Sequence, residues 1–329
     1  MGCLSGSLPL LPQPPAAWLT PLVQSAAVRA FYHDQFVLPL PPGHRFPVVK
    51  YERLRSRLLA ESVLDTSSLH VSPAADDEDL LRVHTPSYLD RLIAGSLSVA
   101  EQRRIGFPWS RRMVERSRRS VGGTLAASRA ALDHGLGINL AGGTHHAYPD
   151  RGAGFCVFND VAVAVRSLQA DGRIRRALIV DCDVHQGDGT AAIFAGDPNV
   201  FTFSIHGARN YPHRKVPGDL DIGLADLSGD EEYLAPLSEG LWRSLAQANP
   251  EMIVYLAGAD PFFDDRLGRL ALSKGGLAQR DQMVLDACLG AGLPLAIVMA
   301  GGYARQIEDT VDIHLTTIRL AVEMIGASG

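Results

Sequence analysis

Cysteine, lysine and long apolar runs are all scarce in this 329-residue chain. The four cysteines, Cys3, Cys156, Cys182 and Cys288, are scattered. That excludes a disulfide scaffold or a cysteine-type zinc site and fits a reducing, cytoplasmic compartment. No apolar run reaches the ~18 residues a membrane helix needs, so no membrane span is expected. Positive charge is not in excess: the net charge of −5 excludes a dedicated nucleic-acid binder, and no direct nucleic-acid partner is expected. Only Lys50, Lys215 and Lys274 are lysines, an arginine bias that reflects coding composition. The proline-rich start has no basic residue before Arg29, which suits neither a secretory signal nor a transit peptide. Gly6 stands where myristoylation wants Ser or Thr. Residues 1–29 read as a poorly ordered extension and 30–329 as one domain.

The remainder has the composition of a globular protein, without repeats, linkers or low-complexity tracts. Helical spacing follows Pro47 (Val48, Tyr51, Leu54, Leu58) and Pro86 (Tyr88, Leu89, Leu92, Ile93). Residues 110–133, 158–170, 231–248, 275–289 and 305–325 also read as helix. Between them lie short apolar runs at Gly137–Ala141, Ala177–Val180, Val200–Ile205, Met252–Ala257 and Leu295–Met299. Uninterrupted runs of this length suit strands buried on both faces, which belong in parallel sheets between helix layers. The alternation predicts an α/β fold.

Polar residues follow each run. The first is followed by Gly142-Gly143-Thr144-His145-His146, the second by Asp181-Cys182-Asp183-Val184-His185-Gln186-Gly187-Asp188-Gly189. His206, Gly258-Ala259-Asp260 and Gly301-Gly302-Tyr303 follow the others. Open α/β sheets bind ligands at the carboxyl ends of their strands, so these segments are predicted to converge. Asp181, Asp183 and His185, spaced i, i+2, i+4, share one face if the backbone is extended. With Asp260 as a third ligand beside Asp183 and His185, the set suits catalytic zinc with one open position. The competing reading makes these acids helix caps, which is reasonable for Asp188 before Gly189-Thr190-Ala191. It does not account for the imidazole. His145-His146 suits a general base, with Asp181 and Asp188 available to orient the rings. Gly142-Gly143 permits close backbone approach there. Tyr303 is placed to donate to a developing oxyanion, with its two glycines giving freedom for the ring to swing in. Gly152-Ala153-Gly154-Phe155 offers a flexible wall and an aromatic face. His33, His44, His70, His84, His134, His206, His213 and His314 read as structural, and Asp76–Asp79 as a solvated helix start.

Together, Gly142-Gly143-x-His145-His146, Gly154-Phe155-Cys156-x-x-Asn159-Asp160, Asp181-x-Asp183-x-His185-x-Gly187-Asp188-Gly189, Gly258-Ala259-Asp260 and Gly301-Gly302-Tyr303 resemble the zinc-dependent histone deacetylase family, in order and spacing, from about Phe31 to the end. Phe31-Tyr32-His33, Pro42-Gly43-His44 and Phe107-Pro108-Trp109 look most like its class IV branch and bacterial relatives. The resemblance implies a three-layer α-β-α fold with a mostly parallel eight-stranded sheet, arginase/deacetylase-like, over residues 30–329. It implies one zinc ion on Asp183, His185 and Asp260. His146 would be general base and acid, oriented by Asp188. His145 would be its electrostatic partner, held by Asp181, and Tyr303 would bond the substrate carbonyl. Gly154 and Phe155 would line an acyl-lysine channel, with Tyr211, Asn210 and Leu267 also against substrate. A structural potassium or sodium ion would sit near Asp181, Asp183, His185, Ser204 and Ile205, largely on main-chain oxygens, and a second near Phe194, Asp197 and Val200. The substrate would be an acyl-lysine protein or a small acylated amine, the acyl group acetyl or longer.

Three departures stand out. The rim acid of class I relatives has no counterpart around Ile105–Trp109. Arg269 occupies a position that is often small in relatives. Cys182 lies between two acids, its side chain expected to point away from the metal face. An acetylpolyamine amidohydrolase shares the same site, although no dimerising insertion is evident. A binuclear manganese ureohydrolase would need a second acidic cluster, which Asp260-Pro261-Phe262-Phe263 lacks. A non-catalytic binding module would have lost a ligand, a dyad histidine or the tyrosine, and none is lost.

Overall fold

The computed structural model describes residues 28–327. The expected extension over residues 1–29 therefore lies almost wholly outside the described residues, while Arg29 opens the first strand. Eight strands, β1(Arg29–Tyr32), β2(Leu69–Val71), β3(Leu136–Asn139), β4(Ala177–Asp181), β5(Val200–Gly207), β6(Leu220–Leu224), β7(Met252–Leu256) and β8(Leu295–Val298), form one sheet in the order β2-β1-β3-β8-β7-β4-β5-β6. Every pairing is parallel. The five strands expected from continuous apolar runs are present. Their central members, β3, β4, β7 and β8, are buried along their whole length.

Because side chains alternate along a strand, each central strand feeds two cores. Leu178, Val180, Ile253, Tyr255, Leu295 and Ile297 face one, shared with α1(Lys50–Ala60), α8(Asp230–Ala248), α9(Lys274–Leu289) and α10(Ile307–Ala327). Ile179, Met252, Val254, Leu256, Ala296 and Val298 face the other, shared with α5(Arg111–His134), α6(Asp160–Ala170) and α7(Asp188–Phe194). This is the expected three-layer arrangement. Shorter helices α2(Asp77–Leu81), α3(Pro86–Ala94) and α4(Val99–Ile105) complete it. Asp76 caps α2, accepting from Asp79 N at 2.8 Å, so the acidic run is a helix start as expected.

The three strands not anticipated, β1, β2 and β6, lie toward the sheet margins. The edge strand β6 alternates half-buried and exposed positions, the signature of a strand with one face covered.

Candidate active site

Four neighbouring strands, β3, β8, β7 and β4, deliver the polar segments to one edge. Strand β4 ends at Asp181, and residues 182–187 turn rather than continue extended. The one-face reading of Asp181, Asp183 and His185 therefore fails: Asp181 leaves the group. Its Oδ2 lies 2.7 Å from Nδ1 of His145, and its Oδ1 accepts from Asp183 N at 3.1 Å. Asp183, His185 and Asp260 remain together, with one potential ligand atom from each within 4.8 Å of the others.

All three are buried. Asp183 accepts from His185 N at 2.9 Å and from Gly301 N at 2.7 Å. Asp260 Oδ1 accepts from Val184 N at 2.9 Å. Asp260 Oδ2 makes no well-formed hydrogen bond among the described residues, although His185 Nδ1 is 3.3 Å away. A buried carboxylate oxygen without a donor costs free energy unless something positive meets it. The donor set, two carboxylates and an imidazole, matches a catalytic zinc-class site. A Cβ at position 301 would overlap both Asp260 Oδ2 and Asp183 Oδ2, so only glycine leaves this space open. The residues fit a divalent cation.

The histidines are oriented separately. His146 Nδ1 lies 2.6 Å from Asp188 Oδ1, and Tyr148 Oη donates to Asp188 Oδ2 at 2.9 Å. Asp188 is thus not the cap of α7: Gly187 holds that position, and no side chain caps it. Burial opposes charge on both imidazoles. On His145 the charges of Asp181 and Asp183 outweigh it and raise the pKa to about 9. On His146 burial and the neighbouring His145 charge prevail over Asp188 and lower it to about 4. The two carboxylates thus favour charge on His145, whereas burial and the neighbouring ring disfavour it on His146.

The main chain of Tyr303 is pinned rather than free. Its N–H donates to Asp265 Oδ2 at 2.6 Å, and its carbonyl accepts from Arg266 N at 3.2 Å and Arg266 Nε at 3.0 Å. The glycines before it serve close approach, so the backbone freedom expected around Tyr303 is absent. The expected flexible wall is also fixed. Gly154 N donates to Arg104 O at 3.0 Å and Phe155 N to Ile105 O at 2.7 Å. Gly154 has φ +52°, and a Cβ there would lie 2.6 Å from His146 Cδ2.

A cavity of about 760 Å³ opens over these groups. Phe155, Tyr211 and Leu267 line it, and the Tyr211 ring meets His146 edge-on at 4.8 Å. Asn210 also lines it, but its amide is engaged: Nδ2 donates to Leu267 O at 2.8 Å and Oδ1 accepts from Arg269 N at 3.2 Å. His213, expected to be structural, lines the mouth. Near the first expected monovalent site, Asp181 and Ser204 are register partners on β4 and β5, and Ile205 follows. At the second, Asp197 N donates to Phe194 O at 2.9 Å and Val200 N to Asp197 O at 3.4 Å. Each of these carbonyls keeps a second lone pair.

Sequence reasoning missed the residues that hold backbone rather than side chains. Asp160 accepts from Gly143 N at 2.9 Å and Thr144 N at 2.6 Å, fixing the turn into His145. Buried Arg280 pairs with Asp281 and donates to Gly258 O at 2.5 Å, behind Asp260. Buried Lys50 donates to Ala300 O at 3.1 Å, and burial lowers its pKa to about 8 despite the charges of Asp260 and Asp183. Cys182 is buried in the core beside Tyr233.

His84 secures the same loop from behind. Its Nδ1 donates to Tyr148 O at 3.1 Å and its Nε2 accepts from Asn159 N at 3.0 Å, a pattern only the neutral ring satisfies. Burial lowers its pKa to about 4. An unfolded histidine titrates near 6.5, so between these values the unfolded chain binds the extra proton. The sign is that stability from this group is present above pH 6.5 and is lost as pH falls toward 4, by ~3 kcal/mol. The destabilisation caused by His84→Gln, from denaturant titrations, should accordingly shrink between pH 7 and 4.5. A constant difference would show that the ring is not neutral in the native state.

Fold and site together define an amide hydrolase of the arginase/deacetylase architecture. The chain belongs to the histone deacetylase family, whose histone deacetylase domain matches residues 44–318. It is 46% identical to an uncharacterized protein of Picosynechococcus, over 88% of this chain and 97% of the relative. It is 32% identical to a histone deacetylase-like amidohydrolase of Pseudomonas aeruginosa, over 81% of this chain and 74% of the relative. The crystal structure of an HDAC homolog complexed with SAHA superposes with TM-score 0.79 at 25% identity, covering 92% of this chain and 84% of that one.

Proposed function

We propose that this protein is a zinc-dependent lysine deacylase, releasing acetyl groups from lysine side-chain amides, on the class IV-like branch. The observation that carries the reading is the pairing of His145 with Asp181 and His146 with Asp188 beside the Asp183–His185–Asp260 group. When bound, the zinc would supply Lewis acidity, lowering the pKa of a water and polarising the amide oxygen. His146, neutral and held through Nδ1 by Asp188, takes the water's proton at Nε2 and returns it to the leaving amine. His145, kept cationic by Asp181, stabilises negative charge without exchanging that proton. Tyr303 donates its hydroxyl to the developing oxyanion. Phe155, Tyr211 and Leu267 hold the lysine stem. Structural potassium or sodium around Asp181 and Ser204, and around Phe194 and Asp197, belongs to the same reading. So does a cytoplasmic location, supported by three free buried cysteines and by the absence, among the described residues, of a helix long and apolar enough to cross a membrane.

The inner end of the cavity decides between acetyl and fatty acyl groups. Arg116 and Ser120 line it, and Arg116 Nε and Ser120 Oγ have no partner among the described residues. Both atoms are already closed off from solvent, and an apolar fatty chain laid against them would offer neither a hydrogen bond, so this wall suits the short acetyl group better. Zinc-loaded protein should therefore turn over an acetyl-lysine peptide with higher kcat/KM than its myristoyl counterpart, and metal analysis should find one transition ion per chain. Two ions would revive the ureohydrolase reading, and preferred demyristoylation would move the assignment to long acyl groups. Asp181→Asn should retain the metal while lowering kcat roughly 10- to 100-fold, the range for losing a group that orients a site residue.

A further inference from the structure

We propose, resting on the deacylase reading, that the natural substrate is an acyl-lysine set in an acidic stretch of polypeptide, selected by a ring of arginines around the mouth. Arg45, Arg103, Arg104, Arg209, Arg266 and Arg269 all line the cavity and all are exposed. They stand on four separate segments, each joined to the channel wall. Arg45 adjoins Phe46, the Arg104 carbonyl holds Gly154, Arg209 adjoins Asn210, and Arg266 and Arg269 flank Leu267-Gly268. Among the described residues, Asp226 is the one carboxylate these arginines share, 2.6 Å from Arg269 and 3.7 Å from Arg209. Arg45, Arg103, Arg104 and Arg266 form no ion pair among the described residues. On the cavity wall itself the one carboxylate among the described residues is the metal-group residue Asp183.

This concentration of positive charge stands on a chain whose net charge is −5. It is therefore local to the mouth, where its field acts on whatever enters. A cleft lined by one sign of charge draws in opposite charge and repels like charge, changing association rates by ~10- to 1,000-fold. A polyamine or a lysine- and arginine-rich tail would be repelled. An acidic segment lying across the opening meets guanidinium groups on every side, each able to take a carboxylate in a forked pair. A small anion would meet one segment, so the spread over four favours a polypeptide.

The test uses zinc-loaded, full-length protein and three peptides carrying a central acetyl-lysine flanked by glutamates, by serines or by arginines. The acidic peptide should be hydrolysed with kcat/KM at least ~10-fold above the basic one at low ionic strength, the advantage collapsing near 1 M salt, where the screening length falls to ~3 Å. Arg103→Glu combined with Arg104→Glu should reverse that order. Fluorescence anisotropy with the same labelled peptides reads the charge preference without turnover. Equal or stronger binding and hydrolysis of the basic peptide would overturn the inference and leave the deacylase reading intact. Tighter, salt-sensitive binding of the acidic peptide with no hydrolysis of any would uphold the arginine ring and overturn the deacylase reading.

Discussion

Zinc added to metal-stripped Asp260→Asn protein should raise neither its melting temperature nor its turnover, while the same addition to the parent protein should raise both. Asp260 is fully buried and faces Asp183 across the group, and that neighbour's charge adds to burial in pushing its pKa up. Two carboxylates forced together in a dry site destabilise the protein until a cation joins them. Removing one charge with an isosteric amide relieves that repulsion, so the variant should fold at least as well when stripped. It also removes one of three ligands, so metal binding no longer adds to stability. For the parent, ligand at a thousandfold excess over its Kd contributes ~4 kcal/mol. Thermal melts with and without zinc, beside a turnover assay, separate the two effects. Parental affinity in the variant would mean that Asp260 is not a ligand, and catalysis without it would remove the metal from the mechanism. Asp260→Ala should lose metal and activity alike, with an added packing defect against Val184 N, whose acceptor it deletes.

The residues of this group were legible in the sequence because each follows an apolar run that folds as a central strand. β3, β4, β7 and β8 are buried on both faces, so their runs are continuous, and polar residues begin where burial ends. β6 escaped because its polar positions face solvent in alternation, a weaker pattern over five residues. β1 and β2 are four and three residues long. The spacing of Asp181, Asp183 and His185 misled in detail because extended geometry stops at Asp181. The clamps stayed invisible for another reason. Asp160, Asp265 and Arg280 act on backbone N–H and C=O groups of segments far away in the chain, and a backbone partner has no residue type to recognise. The arginine ring was half visible: Arg269 and the missing rim acid stood out, but its convergence depends on how the end of helix α4 meets three loops.

Tyr303→Phe should lower kcat on an acetyl-lysine peptide by on the order of 10²–10³, or ~3–4 kcal/mol, with a much smaller change in KM. Three hydrogen bonds, one from its N–H to Asp265 and two to its carbonyl from Arg266, fix the backbone at this residue. Its ring lies 6.5 Å from that of His185 and 5.6 Å from Lys50 Nζ, and its burial pushes the phenol pKa well up, so it stays a protonated donor at neutral pH. A buried donor packed against Phe46 and Phe155 needs little reorganisation as charge develops, which is where oxyanion stabilisation acquires its size. In the proposed mechanism the hydroxyl would bind the ground-state carbonyl only weakly, so its loss should fall on kcat. Deleting it leaves Asp265, Arg266 and the metal group untouched, so the variant should keep its fold, its zinc and nearly its affinity for a hydroxamate. Single-turnover kinetics establish that chemistry limits the rate in both proteins. Equal kcat under that condition would reduce Tyr303 to a packing residue against Phe46 and Phe155. An equal loss in hydroxamate affinity would show instead that the ring supports the metal group rather than the oxyanion.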